Sequence, residues 1–221
     1  MKVVNLLIID DHHLMIEGYK SILSYADCGL KFSLSTAHDC ESGYKILGNP
    51  KNAGKFDLVF IDRGLPPYEQ EKIFNGDDLA IVARKNYPDT KIVILTSHAQ
   101  AFVLYNIVKS INPDGLLVKS DFDADELVNA VKKILSGETF YSVTVRQNIR
   151  ELSTRDAFLD NYNRQIITLL SKGIKTKNLP EYLPLSISAI DKRKVQIREY
   201  FNIGCGGDEE IIREARTAGF I

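Results

Sequence analysis

The stretch FDLVFIDRGLPP (Phe56–Pro67) decides the fold class of the first part of this chain. Its centre, Leu58–Ile61, is a continuous apolar run of strand length, which is typical of a strand covered on both faces of a parallel sheet. The run ends at Asp62, and Gly64 and Pro66 then mark a loop. The stretch therefore predicts a buried strand that delivers a carboxylate to one edge of a sheet.

Similar apolar runs occur on both sides of this strand, and amphipathic stretches separate them. The predicted strands are Val3–Ile9, Phe32–Ala37, Leu58–Ile61, Lys91–Leu95 and Gly115–Val118. The predicted helices are His12–Tyr25, Cys40–Leu47, Asp77–Asn86, Ala99–Ser110 and Ala124–Leu135. Because strands that alternate with helices form parallel, right-handed crossover units, we expect an α/β domain with a doubly wound, five-stranded parallel sheet.

After Gly137 the strand signals stop. Residues 138–158 are mixed and polar and are interpreted as a linker. From Leu159 onward only helical signals remain. Helices are predicted around Ile166–Leu170, Leu179–Leu183, Ala189–Phe201 and Glu209–Ala218. The prediction is therefore of two domains, residues 1–137 and a small all-α domain at residues 159–221, joined by the linker.

Composition and charge set wide limits. The 221 residues carry a formal net charge of -1, so the overall charge indicates no particular partner. The cysteines, Cys28, Cys40 and Cys205, lie far apart without metal-ligand spacing, which favours free thiols in a reducing compartment. The apolar run Val3–Ile9 is too short for a signal peptide or a membrane span. We therefore expect a cytoplasmic protein.

Polar side chains stand at the carboxyl ends of four predicted strands. They are Asp10 and Asp11 after the first strand, Asp62 after the third, Thr96 after the fourth and Lys119 after the fifth. Ligands bind at this edge of an open parallel sheet. Crowded carboxylates repel unless a hard cation lies among them, and Mg²⁺ prefers oxygen ligands. One carboxylate can then form an aspartyl phosphate, while a lysine and a hydroxyl hold the phosphoryl oxygens.

Four motifs resemble the receiver domain of two-component response regulators. They are IIDDHH (Ile8–His13), FDLVFIDRGLPP (Phe56–Pro67), VILTSH (Val93–His98) and GLLVKS (Gly115–Ser120). The resemblance covers residues 1–136 and implies a phosphorylation switch rather than an enzyme. The sequence contains no glycine-rich phosphate loop, so nucleotide binding is disfavoured.

The resemblance also implies roles for single residues. Asp62 would accept a phosphoryl group from a sensor histidine kinase. The implied Mg²⁺ ligands are Asp11 directly, Asp10 as its partner, Asp62, and the backbone carbonyl of Gly64. Thr96 resembles the switch hydroxyl of the family, and Lys119 resembles its phosphoryl-binding lysine.

Two features depart from the receiver pattern. The loop PPYEQEKIFNGDD (Pro66–Asp78) is longer than usual, and it is either simply tolerated or alters the access of the donor kinase. Leu116 stands where the family has its switch aromatic, so we expect the switch to work through packing alone. His12 and His13 could be metal ligands, but the acids already satisfy a hard ion, which favours their beginning the first helix.

The helical tail has a different character. Basic residues outnumber acidic ones between Arg155 and Ile203. The segment LLSKGIKTKNLPEYLPLSISAIDKRKVQIREYFNI (Leu169–Ile203) resembles the helix-turn-helix of LuxR/NarL-type regulators, with Ser188–Phe201 as the recognition helix. The resemblance implies binding to double-stranded DNA and a homodimer on activation. The candidate contacts are Ser188, Lys192, Arg193 and Gln196 for bases, and Lys175, Lys177 and Lys194 for phosphates.

Two other function classes stay open. Pro180, inside the predicted scaffold helix, and Asp191, where an acid would face DNA, favour a signalling module that acts through protein contacts and does not read DNA. An aspartyl-phosphate phosphatase is disfavoured, because that chemistry needs a second acid near the nucleophile and Arg63 and Gly64 do not supply one.

Overall fold

The structure, a computed structural model, describes residues 2–26, 29–52, 54–155, 160–201, 203–204 and 206–221. Cys40 is a buried free thiol, and Cys28 and Cys205 lie outside the described residues. The chain divides into two compact units, one of residues 1–99 and 106–146, the other of residues 100–105 and 147–221. The domain boundaries expected from the sequence stay predictions, and residues 156–159 around one of them also lie outside the described range.

The first unit is built on a parallel sheet with the strand order β2-β1-β3-β4-β5-β6. The strands are β1 (Lys2–Ile9), β2 (Leu30–Ala37), β3 (Leu58–Asp62), β4 (Lys91–Thr96), β5 (Gly115–Val118) and β6 (Phe140–Tyr141). The α/β fold agrees with the prediction, but the expected five strands are corrected to six. β6 pairs only with Gly115 and Leu116, and two residues are too few to show a hydrophobic period.

Helices connect these strands. They are α1 (His13–Tyr25), α2 (Cys40–Leu47), α3 (Gly76–Asn86), α4 (Ala101–Ile111) and α5 (Ala124–Leu135). Asp39 caps α2, since its side chain accepts a hydrogen bond from the Ser42 amide at 2.7 Å. All five residues of β3 are buried, which explains the continuous apolar run that ends at Asp62.

The second unit is helical. Its helices are α7 (Asn161–Ser171), α8 (Ile187–Tyr200) and α9 (Asp208–Thr217), which share one apolar core around Ile166, Ile190, Ile197 and Ile211. Where a scaffold helix was predicted, residues Thr176–Glu181 form a 3₁₀ helix. Pro180 lies inside it, and because proline lacks an amide hydrogen it limits a regular α-helix at this point.

The region interpreted as a linker contains regular structure. β6 lies in it, and α6 (Val143–Arg155) follows directly after Ser142. Among the described helices, none combines the length and the apolar character that crossing a bilayer requires.

Candidate functional site

The sheet order brings the predicted strand-end residues together. β1, β3, β4 and β5 are consecutive neighbours, and all run in the same direction. Asp10, Asp62, Thr96 and Lys119 therefore lie at the same edge of the sheet. This is the edge at which open α/β sheets bind their ligands.

Lys119 joins two of the carboxylates. Its Nζ lies 2.8 Å from Asp62 Oδ1 and 2.9 Å from Asp10 Oδ2. Asp10 is fully buried, and only 6% of the Asp62 side chain is exposed. The sequence thus predicted three residues that the fold brings into direct contact across more than one hundred positions of the chain.

Burial and charge act in opposite directions on this group. Burial raises the pKa of Asp62 above its ordinary value, although the Lys119 ammonium opposes that change. Burial also tends to lower the pKa of Lys119, but its bonds to Asp62 and Asp10 outweigh this and hold the pKa above the usual value. Lys119 is therefore protonated at neutral pH and compensates only part of the carboxylate charge.

Two glycines fit closely around Asp62. The Gly64 amide donates a hydrogen bond to Asp62 Oδ2 at 2.9 Å, which fixes the second carboxylate oxygen. Gly76 begins α3, and a Cβ atom there would lie 2.0 Å from the backbone oxygen of Asp62. The sequence signalled Gly64 by motif, but only the structure shows that Gly76 lets α3 approach the end of β3.

The donor set fits a hard divalent cation. Ligand atoms of Asp10, Asp11 and His12 all lie within 4.8 Å of one another. Asp11 Oδ1 is buried and accepts no hydrogen bond within the described structure, although His12 Nδ1 lies 2.8 Å from it. Three carboxylates with one lysine leave excess negative charge for a cation to neutralise. Asp10, Asp11, Asp62 and the Gly64 carbonyl could hold Mg²⁺.

His12 and His13 mark the start of α1. His12 is the residue preceding the helix, and His13 is its first residue, as the favoured interpretation predicted. The imidazole of His13 packs against that of His38 with ring centroids 4.4 Å apart.

The two predicted switch positions are both buried. Thr96 Oγ1 accepts a hydrogen bond from the His98 amide at 3.0 Å, so its hydroxyl shapes the loop after β4. Leu116 is fully buried in β5 and pairs with Tyr141 of β6. A leucine side chain offers no polar atom for a rotameric hydrogen-bond switch.

The long loop after β3 is folded against α2. Its backbone closes on itself through an antiparallel bridge between Tyr68 and Ile73, and Ile73 is buried. The Tyr44 hydroxyl of α2 donates to Glu71 at 3.0 Å, and Pro66 accepts from the Cys40 amide. The extra residues thus have their own packing against α2.

The structure separates the predicted DNA contacts into two groups. Five side chains are exposed: Lys175, Lys177, Ser188, Lys192 and Gln196. Arg193 instead bonds within the unit, with its Nη1 2.6 Å from Asp160 Oδ1 and its guanidinium 5.0 Å from the Tyr162 ring centroid.

Lys194 is buried, contrary to its expected place on the surface. Its Nζ donates to Thr176 Oγ1 at 2.9 Å and lies 2.5 Å from Asp208 Oδ1. It therefore ties α8 to the 3₁₀ helix and to the start of α9. The sequence contains a signal for the burial of Lys194. With Ile190 and Ile197 it follows helical spacing on the core-facing stripe of α8.

The chain is similar to known proteins over most of its length. The family described as "Response regulator receiver domain" matches residues 6–132. The chain is 26% identical over 213 residues to the oxygen regulatory protein NreC of Staphylococcus epidermidis, covering 90% of this chain and 92% of that protein. It is 24% identical over 212 residues to NreC of Staphylococcus carnosus, again covering 90% and 92%.

Solved structures show the same fold. RcsB of Salmonella enterica, solved bound to a promoter with the phosphomimetic BeF3⁻, has a TM-score of 0.67 at 18% identity, covering 96% of this chain and 97% of that one. A LuxR-family response regulator from Aurantimonas has a TM-score of 0.57 at 24% identity, covering 69% and 99%. The receiver-domain family matches more than half of this chain, and the acidic edge of the sheet is assembled around Asp62. This chain therefore belongs to the response regulator receiver-domain family.

Proposed function

We propose that this protein is a cytoplasmic, DNA-binding response regulator of the LuxR/NarL type, controlled by phosphorylation of Asp62 by a sensor histidine kinase. The observation that carries the proposal is the contact of Lys119 with both Asp62 and Asp10 at the acidic edge of the sheet. Full-length similarity to NreC and to promoter-bound RcsB supports a transcriptional output.

The residues around Asp62 suit the transfer of a phosphoryl group from the kinase to its carboxylate. A carboxylate oxygen of Asp62 attacks the phosphorus of the donor, so that a P–O bond forms as the bond to the phosphohistidine nitrogen breaks. Mg²⁺, held by Asp10, Asp11, Asp62 and the Gly64 carbonyl, would neutralise charge on the phosphoryl oxygens. Lys119 is already protonated beside Asp62 and can pair with the incoming phosphoryl group, while the Gly64 amide orients the carboxylate.

The phosphorylation test uses the full chain with Mg²⁺ and acetyl phosphate, followed by intact-mass measurement. We expect the mass gain of one phosphoryl group in the wild type and none in Asp62→Asn. The matched control is Asp89→Asn, an exposed acid outside the acidic edge, which should gain the group like the wild type. A gain that persists in Asp62→Asn contradicts the assignment of Asp62.

The DNA-binding proposal rests on the exposed stripe of α8. Ser188, Lys192 and Val195 follow helical spacing and are all exposed, as are Lys175 and Lys177 before the turn. We assign base contacts to Ser188, Lys192 and Gln196, and phosphate contacts to Lys175 and Lys177. Arg193 and Lys194 instead support the fold of this unit, and a dimer formed on phosphorylation would present two such stripes.

One observation favours a second candidate, an output that works through protein contacts. The exposed stripe carries Asp191 and Glu199, and it also carries Val195 with 51% of its surface exposed. Such a mixed acidic and apolar face suits a protein partner better than a phosphate backbone.

Selection from a random double-stranded DNA library, followed by fluorescence anisotropy at several salt concentrations, distinguishes the two outputs. For DNA reading, Lys192→Ala should weaken binding to the selected sequence about tenfold, whereas exposed Lys85→Ala on α3 should leave it unchanged. No selected sequence, and no salt-dependent affinity, favours the protein-contact output.

A further inference from the structure

The segment between β6 and α6 is hydrogen-bonded to β5. Ser142 is only 4% exposed, and its amide donates to the Leu116 carbonyl at 3.0 Å. Its hydroxyl accepts a hydrogen bond from the Val118 amide at 3.1 Å. Ser142 thus continues the β5–β6 pairing to the residue that immediately precedes Lys119.

A carboxylate from the next turn completes this link. Asp121 Oδ2 accepts from the Ser142 hydroxyl at 2.6 Å and from the Thr144 amide at 2.9 Å, while Asp121 Oδ1 accepts from the Thr144 hydroxyl at 2.8 Å. Asp121 therefore caps the N-terminus of α6 from a distant part of the sequence. We name Asp121, Ser142 and Thr144 the α6 clamp; all three belong to the first compact unit.

The α6 clamp is bonded to the backbone on both sides of Lys119. Val118 and Asp121 lie one residue before and two residues after that lysine, and the Asp121 amide donates to the Val118 carbonyl at 2.9 Å. The Lys119 amide is bonded to the Thr96 carbonyl at 2.8 Å. A change in what the Lys119 ammonium binds therefore acts on a short turn that is hydrogen-bonded to Thr96 on one side and to the start of α6 on the other.

Leu116 contributes to the link between β5 and α6 through its backbone and not through its side chain. Its apolar side chain cannot relay a hydrogen-bond change, and its carbonyl is bonded to Ser142. The Ser142 hydroxyl donates its one hydrogen to Asp121 and accepts a hydrogen bond from the Val118 amide, so it joins β5 to the start of α6. Ser142 is buried, whereas Asp121 and Thr144 are partly buried; because the three residues are joined by hydrogen bonds, a shift of one acts on the others.

We infer that Asp121 and Ser142 are positioning residues that couple the state of Asp62 to the N-terminus of α6. The inference rests on the proposed phosphorylation of Asp62. When a phosphoryl group on Asp62 pairs with Lys119, the turn from Val118 to Asp121 adjusts, and the cap on α6 adjusts with it. The coupling replaces a route through an aromatic side chain at position 116.

The experiment measures hydrogen–deuterium exchange over residues 143–150 of the full chain, with and without acetyl phosphate and Mg²⁺. The wild type should show a phosphorylation-dependent change in exchange. Ser142→Ala and Asp121→Ala should take up the phosphoryl group within about twofold of the wild-type rate but lose that change. Ser136→Ala removes an exposed serine hydroxyl at the end of α5 and should behave as the wild type.

Conservative variants separate coupling from a loss of folding. Ser142→Thr keeps a hydroxyl and should keep the response. Asp121→Asn keeps an acceptor for Thr144 but loses the charge, and it should retain less of the response than the wild type; thermal unfolding of each variant is measured alongside.

Two results overturn the inference, and they differ from a failure of the proposed function. An unchanged exchange response in phosphorylated Ser142→Ala and Asp121→Ala shows that the α6 clamp does not carry the coupling. A loss of phosphorylation itself in these variants shows that they only support Lys119. A wild type that gains no phosphoryl group at Asp62 contradicts the proposed function instead.

Discussion

Asp62 lies in a place that opposes the ionisation of its carboxyl group. Its pKa is raised by burial, although Lys119 partly compensates, so the folded state binds a proton at this carboxyl more tightly than the unfolded state does. The carboxylate therefore costs stability above its folded pKa, and this cost is relieved as the pH falls through that value. Catalytic and phosphate-accepting groups often have pKa values perturbed in this way.

This predicts that Asp62→Asn stabilises the first unit at pH 7 in the absence of divalent ions. Asp10 still pairs with Lys119 in that variant. Thermal unfolding at pH 7 and at pH 4 measures the effect, which should shrink at the lower pH. A variant less stable than the wild type at pH 7 contradicts the direction of the pKa change.

Gly76 allows a contact that no other residue allows. A Cβ atom would lie 2.0 Å from the Asp62 oxygen and 3.0 Å from the Arg63 Cα, and both are backbone atoms that cannot rotate away. Gly76→Ala should therefore destabilise the first unit by about 2 kcal/mol or more and slow phosphorylation of Asp62.

Gly18→Ala is the matched control for that substitution. Gly18 lies inside α1 and has open space at its Cβ position, so alanine there should stabilise the helix by about 0.5–1 kcal/mol. Urea unfolding of both variants gives the comparison. Equal stabilities for the two would show that α3 is not packed against the end of β3.

At the scale of elements, Lys194 of α8 is buried and holds three elements of the helical unit together. It joins α8 to Thr176 and to Asp208, the first residue of α9. The pKa of Asp208 is lowered overall: its burial acts to raise the pKa, but hydrogen bonds from Lys194 and Thr176 outweigh it. The stabilisation from this pair is therefore present above the ordinary aspartate pKa and is lost as the pH falls through the lowered one.

Lys194→Met should thus destabilise the helical unit by about 1–2 kcal/mol at pH 7, because it removes the ammonium that is hydrogen-bonded to the partly buried Asp208, a site that solvent and Arg198 still screen. The variant should also lose less stability on acidification than the wild type. Urea unfolding across pH 2–7 measures both effects. Lys192→Ala, on the exposed face, should change stability by no more than about 0.5 kcal/mol. If Lys194→Met affects only DNA binding, the structural role given to Lys194 is wrong.

At the scale of the whole molecule, two compact units carry separate cores and separate chemistry. A ligand that binds only the folded first unit stabilises that unit by mass action. Mg²⁺ at ten times its dissociation constant should add about 1.4 kcal/mol. Asp11→Asn should remove this gain, whereas Asp89→Asn should keep it. Hydrogen exchange, measured segment by segment, checks that residues 160–201 do not share the gain.

The sequence by itself determined the parallel sheet and the residues at its acidic edge. Strands buried on both faces must be apolar along their length, so β3 and its neighbours could be recognised, and parallel topology places their carboxyl ends together. The capping roles of Asp39 and Asp160 are also local, because each side chain accepts a hydrogen bond from the amide three residues further on.

Only the tertiary structure decided the rest. β6 is a strand because its two residues pair with β5. The roles of Gly76, Asp121 and Lys194 depend on partners far away in the sequence. A hydrophobic period reports which face of an element is buried, but not which polar atom it meets there. Such pairings are set by the geometry of the packed chain, because a buried polar group must find a partner wherever the fold provides one.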